Sequence, residues 1–344
     1  MATIFGLDYQ TLWFLVVGGV FTGYAILDGF DLGAGALHLF FNKETSRRIA
    51  LNAIGPVWDG NEVWLVIGGG ALFAGFPGVY AAVFSAFYVP FMLFLTVLIF
   101  RAISIEFRSK ESMLWWRAMW DVCYCLSSAT IAFLLGVVLG NLLVGIPIDS
   151  KGNFTGTLSY FLNPYAVMVG ITTLSLFMMH GAIYLVMKTE DRLYAKLTVM
   201  VRNTTIFFSI SVLLLSFYTL LYIPHLTNAI RQNSWMFFIP VAMVFAIANV
   251  TRMVAKRQYR FAFISSSVTV SLLLIIVAVE LYPNMVISTV NPQFNLTVYN
   301  SASSEKSLGI MLLVAAIGVP LVVAYTTFVF WTFKGKVKLD EMSY

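Results

Sequence analysis

Nine stretches of mostly apolar residues run through this chain, at roughly 11–41, 51–75, 78–100, 116–145, 162–187, 203–223, 234–254, 261–282 and 308–333. A helix crosses the hydrocarbon core of a bilayer with about 20 residues, so each stretch is long enough. Helices also satisfy every backbone polar group within a single segment, as lipid requires. Composition points the same way: 60% of the 344 residues are apolar and only 11% are charged, against about 25% charged in soluble domains. Too little charge is present to cover a wet surface. The expected fold class is all-α integral membrane, a single polytopic transmembrane domain over residues 1–344 with about nine spanning helices. A soluble enzyme and a nucleic-acid-binding protein are excluded.

The punctuation between the runs fits that reading. Gly75-Phe76-Pro77-Gly78 marks a tight turn and Gly145-Ile146-Pro147 ends the fourth run. No basic segment precedes the first run and no small-residue cleavage site follows it, so no signal peptide is expected. Lys and Arg are distributed unevenly. Eighteen of the 21 lie in alternate connections at 43–48, 101–117, 188–202, 252–260 and 334–338, leaving Lys151, Arg231 and Lys306 for the other side. The positive-inside rule therefore places the C-terminus in the cytoplasm and the N-terminus outside, as an odd number of spans requires.

Few acids lie at apolar depth. The first run carries Asp28 and Asp31 and the second carries Asp59 and Glu62. Each pair has i,i+3 spacing, which sets both carboxylates on one helical face. Taking each run as one helix at 1.5 Å per residue, Asp31 and Asp28 lie roughly 15 and 20 Å from the inner end of the first helix. Asp59 and Glu62 lie roughly 12 and 16 Å from the inner end of the second. Tyr24, Trp58 and Asn61 add polar atoms nearby. A charge at mid-helix costs about 2.5–3.5 kcal/mol on insertion scales, so four acids at matching depth need a reason. One reading is a proton path or ion site. The other is interhelical hydrogen-bonding, with Arg101 at the inner end of the third run neutralising one acid.

Other polar residues say less. Cys123 and Cys125, one residue apart, diverge on a helix and read as small core residues without a disulfide or metal. The glycines of 29–35 and 68–70 follow no strand and are no phosphate loop; they read as sites of close helix approach. Only three histidines are present, and His38 and His180 are the one conceivable bis-histidine haem pair. Each reads more naturally as a hydrogen-bonded polar residue. Glu280 is the remaining isolated acid at depth, near the outer end of the eighth run. These features fit a proton-coupled secondary transporter as well as a respiratory subunit.

The string Asp28-Gly29-Phe30-Asp31-Leu32-Gly33, then Arg47-Arg48, then Pro56-Val57-Trp58-Asp59-Gly60-Asn61-Glu62-Val63-Trp64 resembles subunit II of cytochrome bd-type ubiquinol/menaquinol oxidases. The likeness continues through Gly69–Ala74, Phe84–Tyr88, Phe100-Arg101, Glu106–Lys110, Gly140–Leu143, Leu162-Asn163-Pro164 and Tyr325-Thr326, and covers essentially the whole chain.

The resemblance implies two four-helix bundles plus one extra helix. It implies a heterodimer with the haem-bearing subunit I in a quinol:oxygen oxidoreductase of a bacterial cytoplasmic (inner) membrane. It also implies haem b and haem d held mainly by the partner, room for a structural quinone, and small single-helix accessory subunits. Catalytic residues and metal ligands are not expected in this chain. The expected proton-pathway residues are Asp28, Asp31, Asp59 and Glu62, with Trp58, Asn61 and Arg101 in support. The chain is short between its sixth and seventh runs, where some family members carry a longer outer segment. That departure removes support for a quinone or accessory-subunit contact on that side.

Overall fold

A computed structural model describes residues 3–4, 6–227 and 231–339. Among them the chain forms eleven α-helices: α1 Tyr9–Ala36, α2 Glu44–Ile54, α3 Trp58–Gly75, α4 Pro77–Ala86, α5 Tyr88–Phe107, α6 Leu114–Val144, α7 Pro164–Lys188, α8 Asp191–Tyr222, α9 Phe238–Ala255, α10 Tyr259–Leu281 and α11 Glu305–Thr332. Eight of these, all but α2, α3 and α4, are long and apolar enough to cross a membrane. Helix α3, with 18 residues, is about 27 Å long. Its polar first turn, carrying Asp59, Asn61 and Glu62, lowers its hydropathy.

Two boundaries differ from the sequence reading, for one physical reason. The run 51–75 is two helices, because Pro56 has no N–H to give to Asn52 and its ring crowds the preceding turn. The run 78–100 is likewise divided between α4 and α5, where Pro90 cannot donate to Ala86. The first run also ends sooner. Helix α1 stops at Ala36 and His38–Phe40 form a separate 3-10 turn, so Asp31 lies about 8 Å from the helix end rather than 15 Å.

Helix ends carry the expected caps. Asp8 Oδ1 accepts from Thr11 N at 2.7 Å, and Asn163 Oδ1 accepts from Ala166 N at 2.9 Å with Pro164 opening α7. Gly145, at φ +99°, stops α6, and a Cβ there would come within 2.9 Å of Ile287 O.

Helices α1 and α7 form the centre. Helix α1 packs against α3, α6, α7, α10 and α11, and α7 against α6 and α8 as well. Everything from Asp28 to Ala36 is buried. The helices cross almost backbone to backbone: a Cβ on Gly33 would overlap Phe177 O, and one on Gly181 would overlap Ala34 N. The small-residue reading therefore holds for this part of 29–35. In 68–70 only Gly68 is in close contact, against the Phe21 ring, while Gly69 and Gly70 face open space.

Candidate functional site: a buried acid–arginine pocket

The C-terminal half of α1 places Asp28 and Asp31 one turn apart, both fully buried. Helix α3 meets them with the face that carries Trp58, Asn61, Gly68 and Gly75. The Asn61 amide donates to Asp31 Oδ2 at 2.7 Å and to Leu27 O at 3.2 Å. Arg101, fully buried on α5, completes the pocket. Its Nη2 donates to Asp28 Oδ1 at 2.7 Å and its Nη1 to Asp28 Oδ2 at 3.4 Å, a forked grip on the carboxylate. The same Nη1 reaches Glu62 Oε2 at 3.5 Å, and Glu62 remains 16% exposed. Tyr24 and Tyr124 are buried in the surrounding wall.

The pocket is not saturated. Asp31 Oδ1 and Arg101 Nε are buried without a hydrogen-bond partner among the described residues. The one guanidinium bonds Asp28 and Glu62 but not Asp31, so Asp28 has a counter-ion while Asp31 has an amide on one oxygen and, among the described residues, no partner on the other. Such a group is costly to bury and is well suited to exchange a proton or hold water.

Of the residues anticipated from sequence, Asp28, Asp31, Asn61, Glu62 and Arg101 come together. Trp58 is buried beside them. Asp59 does not join: it is exposed on the first turn of α3, one step of about 100° around the helix from the buried Trp58. Spacing i,i+3 set Asp59 and Glu62 on one face but could not say where that face pointed.

A second cluster was missed. Asp121 on α6 is buried, with Oδ1 held by His38 Nε2 and Arg108 Nε, both at 2.5 Å. Its Oδ2 is held by Arg47 Nη1 at 2.8 Å and Arg108 Nη2 at 3.2 Å. Arg108 also grips Glu44 at 2.8 and 3.2 Å, and Arg117 reaches Glu44 at 3.3 Å. This cluster ties the start of α2 to the end of α5 and the start of α6. The signal was available: a lone acid inside an apolar run is a marked position.

The histidines do not converge. His180 uses both ring nitrogens, Nδ1 with Ser266 Oγ at 2.7 Å and Nε2 with Ile26 O at 3.0 Å, while His38 is committed to Asp121. His180 has no ring nitrogen left for an axial ligand, and it bonds to Ile26 O, twelve residues before His38 and about 18 Å along the chain's first helix, so the residues do not fit haem ligation by that pair. Cys125 Sγ lies 3.3 Å from Ala36 O and both cysteines are free.

A helical membrane bundle with an arginine-gripped carboxylate pocket at its core defines a class: a polytopic membrane protein that stabilises charge inside its spans. The particular family follows from comparison with known proteins. The family model for cytochrome bd terminal oxidase subunit II matches residues 9–333. Cytochrome bd-I ubiquinol oxidase subunit 2 of Escherichia coli K12 is 31% identical over 371 residues, covering 98% of each chain. Cytochrome bd ubiquinol oxidase subunit 2 of Bacillus subtilis is 31% identical over 333 residues, covering 96% of this chain and 97% of its own. The solved bd oxidase of Geobacillus thermodenitrificans has the same fold, with a TM-score of 0.78 at 18% identity over 94% of this chain and 98% of that one. The chain belongs to the cytochrome bd oxidase subunit II family.

Proposed function

We propose that this chain is the second subunit of a quinol:oxygen oxidoreductase and that its buried pocket carries protons toward the partner's oxygen-reducing centre. Full-length similarity to subunit 2 of ubiquinol oxidases supports the first part. In this reading the haem-bearing subunit I supplies the redox groups, haem b and haem d. The present chain, in a bacterial inner membrane, supports it. Helix α3 is the ninth span, giving two four-helix bundles and an extra helix, with the basic connections in the cytoplasm.

The observation that carries the proton role is the unsaturated pocket. Reduction of oxygen to water consumes protons, which cannot cross hydrocarbon unaided. A relay needs carboxyls in sequence, at least one of them not locked to a cation. Glu62 is half-buried and can meet water. Asp28, gripped by Arg101, anchors the charge balance, and Asp31 keeps an unpartnered oxygen. Asp59, exposed beside the apolar Val63, Val66 and Ile67 of α3, offers its carboxylate to whatever covers that face, and subunit I is the fitting cover.

The test is Asp31→Asn in the purified complex. Asn keeps the shape and hydrogen-bonding of Asp but cannot exchange a proton as a carboxyl does. Assembly and haem content should stay normal while quinol-driven oxygen consumption falls at least about tenfold, roughly 1.4 kcal/mol in barrier. Wild-type turnover in a fully assembled Asp31→Asn complex would reduce the pocket to helix-to-helix hydrogen bonding.

A further inference from the structure

A second feature lies away from the pocket, on the outer surface where α8 passes α7 and the 3-10 turn His38–Phe40. A groove of about 210 Å³ opens there, lined by Leu37, Phe40, Met178, Met200, Asn203 and Phe207. Along α8 the residues Arg192, Lys196, Met200, Asn203, Thr204 and Phe207 recur at steps of three and four and so form one stripe. From Lys196 to Phe207 the stripe rises about 16 Å. It runs from two exposed cations, past Met200, to the Asn203 amide and on to Phe207.

We propose that this groove binds one anionic phospholipid, with its phosphate on Lys196 and Arg192 and an acyl chain along Met178, Met200 and Phe207. The Lys196 ammonium donates to Phe40 O at 2.5 Å, which fixes it at the mouth of the groove. An ammonium has three N–H donors, so others remain for a phosphate oxygen.

Asn203 makes the choice of ligand sharper. It is exposed on the groove, about 10 Å along the helix from Lys196, and its amide makes no hydrogen bond among the described residues. Thr204, its neighbour, is already satisfied by Met200 O at 2.9 Å. A primary amide facing hydrocarbon needs a polar partner, and an ester carbonyl is an acceptor of the right kind. A phospholipid presents anion, ester carbonyl and acyl chain in that order, matching cation, amide and apolar wall. An uncharged quinone would engage Asn203 but would leave the cations unused. This inference is independent of the proton pathway and needs only that the chain sits in a bilayer.

The experiment is native mass spectrometry of the purified complex in detergent, with phosphatidylglycerol or phosphatidylcholine added at equal concentration. Wild type should retain one phosphatidylglycerol and no phosphatidylcholine. Lys196→Glu and Asn203→Leu should each lower that occupancy by roughly tenfold. Asn203→Leu leaves the Lys196–Phe40 contact in place, so it reports on the site even if Lys196→Glu disturbs the turn. The proposal is overturned by unchanged occupancy in Asn203→Leu, by equal retention of the two lipids, or by a quinone adduct that is lost with Asn203→Leu while phosphatidylglycerol binding stays the same.

Discussion

The Asp28–Arg101 pocket and the Asp121 cluster are built from the same residue types and do opposite things with them. Around Asp121 and Glu44 every carboxylate oxygen is held by at least one of Arg47, Arg108, Arg117 and His38. In the pocket Arg101 holds Asp28 and Glu62 but not Asp31, and among the described residues one Asp31 oxygen and the Arg101 Nε stay unpartnered. A saturated network of buried charges rigidifies the elements it joins. An unsaturated one stores a cost that a purely structural site would have removed. The difference separates a brace from a place where charge can change.

The largest effect should come from removing Arg101, the only cation that the described residues place in the pocket. Arg101→Met leaves Asp28 buried without a counter-ion, which typically costs about 3–5 kcal/mol. The complex should fail to assemble or should lose most of its thermal stability. Adding Asp28→Asn removes the stranded charge and should restore assembly. In the other cluster Arg47→Met leaves Asp121 with Arg108 and His38. Arg47 is also 24% exposed, so its loss should cost only about 1 kcal/mol. Equal damage from the two arginine variants, read as unfolding midpoints of the purified complex, would erase the contrast between a sole counter-ion and a shared one.

The next effect is kinetic. Asp59 is exposed on this chain, so Asp59→Asn should change stability by no more than about 0.5 kcal/mol. If its carboxylate is the partner-facing end of the relay, turnover should still slow by about tenfold or more. A loss of stability without a loss of rate would make it a packing residue and end the path at Glu62.

How far these clusters could be read from sequence depended on the kind of information each needed. Asp28 and Asp31 were legible because their run is one continuous helix, so spacing fixed a shared face and burial followed from hydropathy. A close helix approach at residues 29–35 was legible from the glycines, but that α7 is the helix that approaches appears only in space. Asp59 was not, because Pro56 restarts the helix, and the new first turn is tied to α1 through Asn61 rather than through Asp59. Asp121 was overlooked because it stands alone on its helix. Its partners arrive from residues 38, 44, 47, 108 and 117, and no periodicity in one segment announces a site assembled from four. The three-to-one imbalance of the pocket also appears only in space, since Arg101 lies about 40 residues from the acid it touches at 3.5 Å.

The smallest expected effect tests whether the brace is as fixed as its geometry suggests. His38 sits in the 3-10 turn after α1 with Nε2 on Asp121. Burial pushes its imidazole below the ordinary value of 6.5, and Arg108 and Arg47 push the same way, while the hydrogen bond and charge of Asp121 oppose them. A group that binds its proton less readily when folded favours the folded state only while neutral. The stability it contributes is fully present above about pH 6.5 and is lost as the pH falls through that value toward the depressed one, because the unfolded chain then takes up the proton first. The melting midpoint of the purified complex should therefore decline as the pH is lowered from about 7 to about 5. His38→Gln, which can still donate to Asp121 but does not titrate, should flatten that part of the decline and leave the midpoint at pH 7.5 nearly unchanged. If wild type and His38→Gln show the same slope, the imidazole does not titrate in this window. If His38→Gln declines more steeply, the Asp121 carboxylate has outweighed burial and His38 is held as the cation, making the cluster an ion pair throughout.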